Sequence, residues 1–147
     1  MKFLAVLYRL AVAFWTGGAA LFTFILTPAI FARYDRDQAG AIVGVLFPGY
    51  FRWGLVCGAV ALACLLLAPK RRFKVASAVI IVAMLAATAY QSFVIEPRAA
   101  QLKREIPSFV TTPADDPLRQ EFRKLHGISA ASNLGVIGGG VALLILL

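Results

Sequence analysis

Four apolar runs, each long enough to cross a bilayer, are separated by short stretches in which the charged residues collect. They cover Leu4 to Ala32, Tyr50 to Ala68, Phe73 to Ile95 and Leu125 to Leu147. A hydrocarbon core of about 30 Å needs roughly 20 apolar residues in helical form, and each run comes close to that or exceeds it. The runs are unbroken rather than alternating, which excludes barrel strands, and an open sheet would leave backbone groups unpaired in lipid. The pattern predicts an all-α integral membrane protein: one domain over residues 1–147, a four-transmembrane-helix bundle with an extramembrane loop at 96–124.

Two stretches modify this picture. Residues Arg36 to Phe47 are helix-like and apolar but too short to cross, and Pro48-Gly49 follows them. They predict a short interfacial or re-entrant helix before the second span, the other reading being a longer second span kinked at Pro48. Within the third loop, Asp116 before Pro117 has the form of a helix start, so the fourth helix should begin before the membrane surface. The first run exceeds the apolar region of a signal peptide about twofold and contains Arg9, Trp15 and Pro28, so it is read as a retained anchor.

Composition and charge agree with this reading: 61% of the 147 residues are apolar and 15% charged, more apolar surface than a soluble domain of that size can hide. Net charge is +8, yet the basic residues lie at span ends. Anionic lipid headgroups, especially around Lys70–Lys74, are therefore the expected partner rather than nucleic acid. All seven carboxylates (Asp35, Asp37, Glu96, Glu105, Asp115, Asp116, Glu121) fall on the side opposite that acid-free loop. The asymmetry places both termini and Lys70–Lys74 in the cytoplasm of a multi-pass protein of the bacterial inner membrane. Cys57 and Cys64 share one face of the second span at a spacing that excludes a mutual disulfide, and are read as packing residues.

Helical spacing then sorts the polar residues within the spans. His126, Ser129 and Asn133 share a narrow arc of the fourth, while Gly135 and Gly139 form a small-residue pair on another face. Ala13 with Gly17, and Gly54 with Gly58, are similar candidates for close helix packing or a homo-oligomer contact. Thr16, Thr23 and Thr27 line the first span, and Thr88 and Gln91 lie in the third. A threonine can bond to its own helix, but the amides of Gln91 and Asn133 need partners from elsewhere. Chain direction brings Arg52, Gln91, Glu96, His126, Ser129 and Asn133 to the same end of the bundle, which makes that mouth the candidate ligand-binding site. A lone histidine excludes bis-histidine haem within one chain, and no metal-ligand spacing is present, so no cofactor or metal is indicated.

Trp15-Thr16-Gly17-Gly18 with Pro28 and Phe31, Gly40 through Phe47-Pro48-Gly49-Tyr50, Glu96-Pro97, and His126-Gly127-x-Ser129 with Asn133 together form a pattern. It resembles the bacterial domain-of-unknown-function relatives of an animal four-span transmembrane protein linked to cisplatin tolerance. The resemblance implies a four-helix membrane domain without an assigned reaction. Three functions follow as expectations. The first is a binding or transport module for a small amphiphilic or lipid-like molecule, with Arg52 and His126 at its polar end. The others are a small membrane oxidoreductase or oxygenase with His126 as acid or base, and an accessory subunit of a membrane complex.

Overall fold

The structure, a computed structural model, describes residues 2–68 and 73–146. Four long helices make it up: α1 (Lys2–Arg33), α2 (Arg36–Leu67), α3 (Lys74–Glu105) and α4 (Pro117–Ile145). Each is long and apolar enough to cross a membrane. They stand antiparallel in a ring in which α1 packs on α2, α2 on α3, α3 on α4 and α4 back on α1. Of the basic cluster expected to meet lipid, Lys70, Arg71 and Arg72 lie outside the described residues. Lys74 lies within them, and its ammonium donates to the carbonyls of Leu66 and Ala68 at 3.0 and 2.9 Å, capping the end of α2.

Helices of about 30 residues extend about 45 Å at 1.5 Å per residue, well beyond a hydrocarbon core of about 30 Å. At the end holding Lys2, Leu67, Lys74 and Ile145 the chain stays apolar almost to the helix tips, so the excess length projects at the other end. About 20 residues counted from the apolar end place the far edge of the core near Thr23, Pro48, Glu96 and His126. The upper parts of the helices and residues 106–116 form a head above that plane.

Arg36–Phe47 is not a separate helix: it continues through Pro48 into the second span as one element from Arg36 to Leu67. The Asp35 side chain caps its start by accepting from the Gln38 N–H at 2.8 Å. Rings splint the proline across the break. Phe47 lies 5.4 Å from Phe51 and 5.5 Å from Phe22, and Phe22 stacks on Tyr50 at 4.4 Å. The third span likewise runs past Pro97 to Glu105. Pro28 and Pro97 are each preceded by one wide turn, at Phe22–Leu26 and Gln91–Ile95, where the Thr27 and Glu96 N–H groups bond back to the Phe22 and Gln91 carbonyls. A proline lacks an N–H and crowds the carbonyl four residues earlier, and the wide turn takes up that crowding without ending the helix. At α4, Asp116 accepts from the Leu118 and Arg119 N–H groups with Pro117 in the first turn, the start expected from the dipeptide.

The membrane-embedded half nearer the termini is a closed apolar core built from Val12, Trp15, Ala61, Leu65, Ile81, Met84 and Leu143. Glycines bring the helices together around Trp15 and Thr16. A Cβ added at Gly58 would stand 2.5 Å from Leu85 Cδ2 and 2.6 Å from the Trp15 ring, and one at Gly54 2.9 Å from Trp15 Nε1. Gly139 fits against Met84, and Gly140 against Thr16, whose buried hydroxyl oxygen has no hydrogen-bond partner. Ala13, Gly17 and Gly135 differ from their expected packing role: Ala13 is exposed, and nothing lies within 4 Å of a Cβ at Gly17 or Gly135. The spacing rule identifies small residues on one face but not which face meets a neighbour. In α1 the contact face is set by the bulk of Trp15.

Candidate functional site

Where the hydrocarbon core gives way to the head, polar side chains from all four helices meet. Asn133 of α4 accepts from the Tyr50 hydroxyl of α2 and donates to Thr23 Oγ1 of α1 at 2.5 Å. Alongside, Ser129 of α4 donates to Gln91 Oε1 of α3 at 2.9 Å, with Gln91 fully buried. The two amides thus find partners on neighbouring helices, as burial of a primary amide requires.

Above this layer lies a cavity of about 460 Å³ bounded by α1, α2, α3, α4 and residues 106–116. Phe31, Phe47, Phe109 and Phe122 wall it, and Arg36, Lys103, Arg119, Arg123 and His126 supply its polar groups. No carboxylate lines it. Among the described residues the salt bridge is Arg98–Glu121 at 2.7 Å, outside this cavity. Lys103 donates to the Gly40 carbonyl at 2.9 Å and stands 5.8 Å from the Phe122 ring centre, while Arg119 donates to the Thr112 carbonyl and covers the Phe109 ring at 5.9 Å. A smaller space of about 40 Å³ continues from it between Phe51, Glu96, Lys103, His126 and Ser129.

Residues 106–116 roof the cavity and are tied down by Asp37. Its carboxylate accepts from the Ser108 hydroxyl at 2.5 Å and from the Phe109 N–H at 2.6 Å, and these two bonds hold its pKa below the ordinary value. A folded-state pKa that is depressed adds stability above the unfolded value of about 3.9, lost as pH falls through the folded one. Asp37→Ala is expected to speed proteolytic cleavage within residues 106–116 several-fold at neutral pH, and acidification below about pH 4 to loosen the same segment in the unaltered protein. Equal cleavage rates for variant and parent at neutral pH would show that the roof is held by other contacts.

Of the residues singled out in the sequence, Gln91, Ser129 and Asn133 form the polar layer, His126 borders both cavities and Glu96 borders the smaller one. Arg52 is exposed on α2 and lines neither. The cavity's main cations, Arg36, Lys103, Arg119 and Arg123, escape a search confined to the spans because they lie in the head. Their signal is nevertheless present: Arg119, Phe122, Arg123 and His126 follow the i, i+3, i+4, i+7 spacing of a single helical face.

The family described as Domain of unknown function (DUF4149) matches residues 10–108. That range holds α1 from residue 10 onward, α2, α3 and the cavity residues Phe31, Arg36, Phe47 and Lys103, while α4 lies beyond it. An uncharacterized protein of Aquifex aeolicus (strain VF5) is 36% identical over 50 residues, 34% of this chain and 38% of that relative's length. No solved structure matches.

Proposed function

The chain belongs to the DUF4149 family, whose description assigns no activity, and we propose that the mouth of its bundle binds a small amphiphilic molecule. The observation that carries this reading is a cavity of about 460 Å³ combining aromatic walls with cationic side chains at the level where hydrocarbon meets headgroups. Such a site offers apolar surface and charge to one ligand, the combination that small-molecule sites use for affinity and orientation. Below the cavity the polar layer and the packed core around Val12, Trp15 and Leu143 close the bundle, an arrangement that favours a binding cup over an open pore. A transport role would require the helices to part.

The same proposal sets this mouth on the outer side of a bacterial inner membrane, with the termini and Lys70–Lys74 in the cytoplasm and anionic lipid around that loop. It extends the kinship to the animal four-span protein through Trp15-Thr16-Gly17-Gly18 and the proline positions. Native mass spectrometry of the protein released from its own membrane tests the reading. We expect one tightly held amphiphile per chain after detergent is stripped, and a bare chain would contradict it.

A further inference from the structure

We propose that the occupant of the mouth is an anionic single-chain amphiphile, which enters sideways from the bilayer between α1 and α4 and sets its acidic head among Arg36, Arg119 and Arg123. This rests on the amphiphile reading above and adds to it the charge of the ligand and its route.

The charge follows from what the cavity lacks. Its arginines face an apolar space with no carboxylate in the lining and none in salt-bridge contact with them, while Lys103 has Glu96 as an electrostatic partner in the smaller space. Arg119 helps keep Asp37 ionised, but Asp37 does not line the cavity, and its oxygens accept from the Ser108 hydroxyl and the Phe109 N–H. Cations gathered against aromatic walls repel one another more than in water, and a single acidic head relieves that repulsion. Arginine also matches the planar oxygens of a carboxylate or phosphate monoester.

The route follows from how the helices part. Below the Thr23–Asn133 bond α1 packs on α4, but above it Thr27–Arg33 leans on α2 and makes no extensive packing with α4. The cavity reaches the gap so formed, with Thr27 and Phe31 on one lip and Arg123 and His126 on the other. Thr27 lies four residues beyond Thr23, about 6 Å above the core edge and thus in the headgroup layer. A hydrocarbon tail cannot descend through the bundle, because the polar layer and the packed core close it. It leaves through the gap, below which Phe24 and Ile25 of α1 and Leu134 of α4 are exposed apolar side chains.

The test uses the full chain in nanodiscs of phosphatidylcholine, with dodecyl phosphate, dodecyltrimethylammonium, dodecanol and inorganic phosphate as probes. Dodecyl phosphate is expected to saturate at one per chain and to bind at least about tenfold more tightly than dodecyltrimethylammonium, with inorganic phosphate weaker still by about tenfold or more. Arg36→Gln with Arg123→Gln, both exposed positions, should remove the preference for the phosphate while leaving dodecanol binding unchanged. Thr27→Trp should weaken every dodecyl probe and spare inorganic phosphate, with helix content and Tm as the check on folding. Equal binding of the anionic, cationic and neutral dodecyl probes would overturn the acidic head and leave the amphiphile reading standing. If none of them bound, that reading itself would fail. Inorganic phosphate binding as tightly as dodecyl phosphate would make the site one for a free anion, and undiminished dodecyl binding in Thr27→Trp would overturn the sideways route.

Discussion

Gly58→Ala is expected to lower the stability of the bundle by about 2 to 3 kcal/mol. The added carbon would meet Leu85 Cδ2 at 2.5 Å and two atoms of the Trp15 ring at 2.6 and 2.7 Å. Leucine can turn away, but the indole cannot: it is buried, and it also fits against Gly54. Helix α2 must therefore move off α1, the pair that packs most extensively in the ring. Alanine's better helix propensity, about 1 kcal/mol over glycine, offsets only part of this. Gly135→Ala is the control, because the same gain in propensity is made where nothing lies within 4 Å. Unfolding in mixed micelles, followed by far-ultraviolet circular dichroism, should show Gly58→Ala destabilised and Gly135→Ala neutral or slightly stabilised. If both variants unfold alike, the Trp15 socket does not set the α1–α2 contact. Leu85→Ala in the Gly58→Ala background should restore only a minor share, since the Trp15 contact persists.

Trp15 also shows which parts of the fold can be read from the sequence. Apolar run length and the absence of alternation are sufficient for four helices, because the bilayer admits so few alternatives. The position of the Asp116 cap is equally local. The fate of Pro48 is not local: whether Arg36–Phe47 joins the second span depends on rings of α1 and α2 meeting around the break, Phe22 among them. Small-residue pairs suffer the same limitation. Gly54 and Gly58 receive Trp15 while Gly17, at an equivalent spacing from Ala13, faces outward, and the distinction lies in the partner helix. At the mouth, a buried amide announces that it needs a partner, so Gln91 and Asn133 are legible one residue at a time. Arg36, Lys103, Arg119 and Arg123 are ordinary surface cations in the sequence. They become a site only when residues 106–116 fold back onto Asp37 and roof them over.

Asn133→Leu is expected to cost about 2 kcal/mol of bundle stability and to leave binding at the mouth within about twofold of the parent. Leucine has the same branched outline and number of side-chain heavy atoms as asparagine but is bulkier, so the change removes the hydrogen bonds while keeping the position filled. It strands the Tyr50 hydroxyl and Thr23 Oγ1, which belong to two other helices and lie half-buried at the cavity floor. Tyr50→Phe alone should cost about 1 kcal/mol, and the double variant less than the sum, because the Tyr50 hydroxyl no longer lacks its partner once it is gone. Mixed-micelle unfolding of the four proteins gives the coupling directly. Additive losses would mean that the Tyr50–Asn133 bond contributes nothing on its own. Binding of dodecyl phosphate by the same four proteins then locates the ligand relative to this floor. The proposed acidic head sits above it, among arginines that do not touch Asn133, so the amide supports the cup without meeting its contents. If Asn133→Leu instead lost binding by a factor of a hundred while unfolding like the parent, the amide itself would be the ligand contact. A site built to hydrogen-bond its ligand strongly penalises the missing group, and the occupant would then have to reach down to the Thr23–Asn133 layer at the cavity floor.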